Sequence, residues 1–153
     1  MRRTFAIALL ALIACSRGPQ VPVNTLLWRL GAWFPAPNGT RAAAAEIISF
    51  RKSGEYVEHY CNVIERADST VYIMSNGVHF LVIGKWKQKD EQVVATRELT
   101  TNPNLCGDVA YRISGNSVMF RNVQFSPVTR LVSPDFEIYV NDGRKVARPC
   151  TSD

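Results

Sequence analysis

Gly77-Val-His-Phe-Leu-Val-Ile-Gly-Lys-Trp-Lys-Gln88 is the stretch that decides the fold. Read as an extended chain, it puts Val78, Phe80, Val82, Gly84 and Trp86 on one side, and His79, Leu81, Ile83, Lys85 and Lys87 on the other. A helix would scatter that row around its circumference, so the spacing predicts a half-buried strand. The strand is bounded by Asn76-Gly77 and Lys89-Asp90-Glu91, both turn sequences. The same period of two continues on either side. Val109, Tyr111 and Ile113 oppose Ala110, Arg112 and Ser114, and Phe136, Ile138 and Val140 oppose Glu137 and Tyr139.

Working outward, the alternation predicts strands over 27–33, 46–52, 55–65, 69–75, 77–88, 92–100, 109–114, 117–122, 129–133, 135–140 and 144–148. Asn76-Gly77 and Gly115-Asn116 supply the residues that tolerate positive φ in tight hairpins. Consecutive strands are therefore expected to pair antiparallel. The one helical candidate is the Ala run Ala42–Glu46, and no helix is expected after the last strand. One-sided alternation over so many strands implies a closed antiparallel β-barrel or two packed sheets, since closure removes edges that a small sheet must otherwise protect. The fold class is all-β.

The first residues carry a different pattern. Met1-Arg-Arg3 precedes the uninterrupted apolar run Phe5–Ala14, the layout of a secretory signal. Ten apolar residues fall short of the roughly 20 that span a bilayer as a helix. A cut after Ala14 by ordinary signal peptidase would leave Leu12 at the position that wants a small residue. Leu12-Ile13-Ala14-Cys15 instead resembles the lipobox of bacterial lipoproteins. The resemblance implies that Cys15 becomes the first mature residue, carrying a thioether-linked diacylglyceryl group and an acylated amine, palmitate being the typical chain. With Ser16 rather than Asp next, it also implies sorting to the outer membrane, with the domain in the periplasm or at the cell surface. The expected organisation is a signal peptide over 1–14, the lipidated Cys15 with a Pro- and Gly-containing tether over 15–25, and one domain over 26–153.

Removing the first 14 of 153 residues leaves 139, enough for one core, and takes Arg2 and Arg3 away, lowering the formal charge from +5 to +3. The remaining Lys and Arg are dispersed, with no basic stripe interleaved with aromatics, so nucleic acid is not an expected partner. Three cysteines remain after Cys15. Cys106 in the loop-like Asn-Pro-Asn-Leu-Cys-Gly-Asp and Cys150 in the tail have the freedom to meet disulfide geometry, and this is the preferred pair. Pairing of Cys61 with either one stays open.

Gly31-Ala32-Trp33 and Gly84-Lys85-Trp86 form two Gly-x-Trp units. The first sits where the lipocalin family carries its Gly-x-Trp signature. The hairpin Ile48–Tyr56, the Gly84–Trp86 strand and the segment Tyr111–Phe120 resemble small lipocalin-like lipoprotein domains. The resemblance implies a barrel with a calyx, for which Trp33, Phe80, Trp86 and Tyr111 are the candidate lining; the residues themselves favour reading both tryptophans as core plugs, with Gly bending the backbone while Trp covers a barrel end. The expected absence of a C-terminal helix departs from true lipocalins.

Catalytic signatures are missing from the sequence: there is no Gly-x-Ser-x-Gly elbow, no His-Glu-x-x-His and no phosphate-cradling Gly loop. Glu55 and Glu58 fall on opposite faces of one strand and make a poor acid/base pair. His59 and Cys61 share a face at a spacing that suits a soft metal, but His79 is placed two strands away, about 10 Å at the usual strand separation. Neither a metal nor another cofactor is expected. The functional expectation is a non-catalytic, lipid-anchored envelope protein binding an apolar or amphipathic small molecule in its barrel. The alternative is an envelope interaction or assembly protein with a solid barrel, docking through Trp28, Trp33, Phe34 or Tyr139.

Overall fold

The computed structural model describes residues 18–77, 79–131 and 133–151. The segment expected to be a signal peptide, Cys15, and Val78 of the alternating row lie outside the described residues. In chain order the strands are β1 (Leu26–Leu30), β2 (Phe34–Ala36), β3 (Thr40–Phe50), β4 (Glu55–Glu65), β5 (Val71–Ile73), β6 (Phe80–Lys89), β7 (Gln92–Thr100), β8 (Gly107–Ser114), β9 (Ser117–Phe120) and β10 (Val123–Pro127). A helix, α1 (Ser133–Val146), and a two-residue strand, β11 (Arg148–Pro149), complete the chain.

Eight strands close into an antiparallel barrel in the order β3, β1, β10, β9, β8, β7, β6, β4, with β4 returning to β3. The expected all-β barrel is present. The β3–β4 hairpin is its longest ladder, running from Phe50↔Tyr56 to Arg41↔Glu65. The seam is its shortest, with Leu27↔Pro127 and Trp28↔Ser126 joining β1 to β10. β2 and β5 extend the tall β3–β4 wall beyond the barrel proper. Gly84 sits at a bulge between β6 and β7, where a Cβ would lie 2.0 Å from the Thr96 carbonyl oxygen. Only glycine allows the two backbones to approach so closely.

Alternation gives each wall two faces, and both are used. Leu27, Ile48, Phe50, Tyr56, Val93, Tyr111, Val118 and Phe125 fill the inside, with Trp86 packed against them. Ala43, Ile47, Val57, Cys61, Val63, Leu81 and Ile83 form a second core on the outer face of β3, β4 and β6, covered by Phe136 and Val140 of α1. A strand covered on both faces has no solvent-facing row, as the near-continuous burial of β3 and β4 illustrates.

Three expectations are overturned. The strand placed over 135–140 and the first three residues of the one placed over 144–148 belong to the helix α1, where no helix was expected, while Arg148 lies in β11. Phe136, Ile138 and Val140 imitate a strand row, yet Ile138 is 58% exposed while Phe136 and Val140 are fully buried. The working spacing is helical: Phe136, Tyr139, Val140 and Gly143 make one face, and Gly143 passes so near Leu81 that a Cβ would fall 2.5 Å from Leu81 Cδ2. Second, Ala42–Glu46 is not helical. It is the first half of β3, where Ala42, Ala43 and Ala45 sit buried between neighbours while Ala44 stays exposed. Third, β10 occupies a stretch read as a turn region around Ser126-Pro127, because Pro127 ends the strand rather than preceding it.

The stretch expected to be a tether is docked where it is described. Val21 is buried in the inner core, its N–H donates to Gln88 Oε1 at 3.0 Å, and Gln88 Nε2 donates to the Pro19 carbonyl at 2.8 Å. Asn24 N–H donates to the Phe50 carbonyl, and Asn24 Oδ1 accepts from the Lys52 N–H. This segment therefore closes the barrel end formed by the β3–β4 and β6–β7 turns. The disulfide joins Cys106 and Cys150, with Cα atoms 5.5 Å apart, and Cys61 is free and buried.

Candidate functional site

The inward row of β4 reads Tyr56, Glu58, Tyr60, and the carboxylate in its middle is fully buried. A lone buried charge would be prohibitive, so its partners define the site. Arg97 on β7 supplies a bidentate pair, Nε to Glu58 Oε2 at 3.0 Å and Nη2 to Oε1 at 2.8 Å. Tyr56 donates to Oε2 at 3.0 Å, and Tyr60 donates to Oε1. Arg97 Nη1 also donates to the Leu105 carbonyl at 3.0 Å, tying this layer to the loop that carries Cys106.

A second carboxyl, Glu46 on β3, faces the same layer. It accepts from Arg29 Nε, and its Oε1 lies 3.1 Å from Tyr60 Oη. Burial raises the pKa of Glu46, and the nearby Glu58 charge adds to this, while the Arg29 hydrogen bond opposes it. The phenols of Tyr56, Tyr60 and Tyr111 are all held above their ordinary pKa, first by burial and then by neighbouring charge. Tyr111 Oη meets Tyr56 Oη at 2.5 Å, which completes a hydrogen-bonded chain through the interior. With all four charged groups ionised, two arginines balance two glutamates.

The charged layer divides the barrel in two. On one side lies the aromatic half, in which Tyr111 is 1% exposed and packed by Phe50, Tyr56, Phe120 and Phe125 with ring centroids 5.6–6.2 Å away. Trp86 closes this half, its Nε1 donating to the Arg51 carbonyl at 2.9 Å. On the other side is a mouth where a cleft of about 190 Å³ is lined by Arg29, Leu30, Gly31, Ala44, Ala45, Glu46 and Tyr60. The Arg29 side chain is 46% exposed there, with its Nη groups holding no acceptor among the described residues.

The four residues expected to line a calyx are not brought together. Trp86 and Tyr111 share the aromatic half through Phe50, 5.9 and 5.6 Å from it between ring centroids. Phe80 is half-buried near the mouth end of β6. Trp33 packs on the outer face, under the Arg41 guanidinium at 5.2 Å. Glu46, Arg97, Arg29 and Tyr60 are not among the sequence candidates, and Glu58 is considered there only as a poor acid/base partner for Glu55. Their signal is a charged residue inside an apolar alternating row, as in Tyr56-x-Glu58-x-Tyr60 and Val93-x-Ala95-x-Arg97.

His59 and Cys61 do share a face, but it is the outer one. His79 is adjacent rather than two strands away, because β5 leaves the path early and β4 pairs directly with β6, opposing His59 to Leu81. His79 Nε2 lies 2.8 Å from the Met74 carbonyl, which only accepts, so it carries a proton. A neutral His79 then accepts at Nδ1 from His59 Nε2–H, 3.1 Å away. His59 Nδ1 is left bare and buried, with no hydrogen-bond partner among the described residues. Tyr139 of α1 stacks on His79 at 4.6 Å. Burial, then the neighbouring His79, lowers the His59 pKa to about 4, and burial raises the Cys61 thiol to about 12. Among the described residues no group of three His, Cys, Asp or Glu side chains could hold a metal ion.

No protein-family model, curated protein or solved structure matches this chain.

Proposed function

We propose that this chain is a non-catalytic envelope protein, held to the outer membrane by lipid on Cys15, which binds a small amphipathic molecule at the mouth of its barrel. The observation that carries this reading is the cleft over the charged layer. Arg29 offers uncommitted Nη donors there, while Leu30, Gly31, Ala44 and Ala45 offer apolar wall. Perturbed ionisable groups beside a concavity are a recurring mark of binding sites. The aromatic half is packed, so the ligand's polar head meets Arg29 and its apolar part lies along the tall β3–β4 wall rather than deep inside.

A second reading has its own support. The packed aromatic half suits a solid barrel, and Phe34 is 55% exposed on the short strand β2 beside Trp33, a contact point for an envelope protein. Native mass spectrometry of the full chain from its own membranes separates the two. A one-to-one small-molecule increment, lost in Arg29→Ala, is expected. A protein-sized increment that survives Arg29→Ala would favour the second reading, and a bare chain would refute ligand binding. In the same cells, Cys15→Ser is expected to abolish lipid labelling; membrane retention without it would refute the anchor.

A further inference from the structure

We infer that the barrel stands on the membrane with its Trp86 end against the bilayer surface and its charged mouth facing away. The inference rests on the proposed lipid at Cys15 and adds an orientation to it.

The argument is one of reach. Gly18 is three residue steps from Cys15, and a fully extended chain covers at most about 11 Å over three steps. Gly18 is not loose relative to the barrel. Gly18–Val21 and Val23 line a cleft together with Trp86, Gln88, Asp90 and Glu91, at the barrel end opposite the mouth. Two hydrogen bonds to Gln88 fix Pro19 and Val21, Val21 is buried beside Trp86, and Val23 pairs with Phe50 as a short parallel bridge. Because the chain is fastened to this end immediately after the anchor, the end cannot leave the headgroup region while the lipid stays inserted.

Charge does not set the orientation. Lys52, Lys87 and Lys89 are exposed at or near this end, but Asp90 and Glu91 stand in the same turn, so no single-sign surface faces the lipid. A short leash is enough. The opposite end is far removed: β4 alone runs from Glu55 to Glu65, about 33 Å along the strand. Its distal turn at 66–70 and the cleft at Arg29 are thereby held out in the aqueous compartment.

The test uses the full lipidated chain in vesicles of phosphatidylethanolamine and phosphatidylglycerol that carry a nitroxide headgroup quencher. A fluorophore is placed on one introduced cysteine at a time. Lys52→Cys and Asn116→Cys mark the near end, and Ala67→Cys and Asn122→Cys the far end; all four positions are exposed. Loss of fluorescence is expected at Lys52 and Asn116, and little or none at Ala67. A long Gly-Ser insertion between Arg17 and Gly18 should erase the difference, since it frees the barrel without touching its fold. Uniform or reversed quenching in a chain that takes up labelled palmitate would overturn the orientation and leave the anchor standing. A chain that takes up no lipid would overturn the anchor, and the orientation with it.

Discussion

Acid should weaken this protein through one imidazole, and the size of the effect follows from the His59 geometry. His59 is 1% exposed, its Nε2 proton is committed to His79, and its Nδ1 has no hydrogen-bond partner among the described residues. A proton added at Nδ1 would enter the outer core unpaired, which is why the folded pKa falls from 6.5 to about 4. The unfolded chain binds that proton first. Stability is therefore full above pH 6.5, declines as the pH falls towards 4, and loses nothing more from this group below it. At 1.36 kcal/mol per unit, the window is worth about 3 kcal/mol. Urea unfolding from pH 7.5 to 4, run in parallel on wild type and His59→Gln, isolates the term, because every group but this imidazole is common to both chains. His59→Gln should be the less stable at neutral pH, and its deficit should shrink by about 3 kcal/mol on acidification. A deficit that stays constant across the window would refute the bare, buried Nδ1.

Three further outcomes follow from the interior. Arg97→Met should cost about 3–5 kcal/mol in urea unfolding by stranding the Glu58 carboxylate, and Glu58→Gln in the same chain should return more than half of it. An equal cost in the single and double variants would show that packing, not charge, is at stake. Replacing Cys106 and Cys150 by Ser opens a loop of 44 residues, worth about 4 kcal/mol of chain entropy, and should lower the unfolding midpoint accordingly. Gly84→Ala should cost about 2–3 kcal/mol by driving a methyl into the Thr96 carbonyl at the bulge, and an unchanged midpoint would mean the bulge can open freely.

How far the sequence could be read depended on whether a row answered to one environment or two. Strands such as β8, with Val109, Tyr111 and Ile113 inside and Asp108, Ala110 and Arg112 outside, declare themselves by parity. The row at 136, 138 and 140 does not, because three apolar residues at that spacing satisfy a strand and also part of a helix. The helix signal lay in Ser133-Pro134-Asp135, which is a helix start, and in Gly143 at the close approach to Leu81. The disulfide was legible because loop and tail left few constraints on Cys106 and Cys150. The charged layer was not, since nothing in a single strand reveals that Glu58 and Arg97, 39 residues apart, will meet. Gly-x-Trp proved ambiguous for a similar reason: Trp86 turns inward while Trp33 lies on the outer face.

The seam has a consequence for how the barrel is made. From β7 through β10 each strand pairs with its predecessor in the chain, β3 and β4 form a hairpin, and only β5 separates β4 from β6. Such a meander can assemble from local contacts. Leu27 and Pro127 then have to find each other across nearly the whole domain to make the two residue pairs of the seam. Until they do, the molecule is an open curved sheet with β1 and β10 as bare edges, ready to pair with any other strand in reach. Closure comes last, is written in the fewest bonds, and is the step at which a newly made chain is most exposed to joining its neighbours instead of itself.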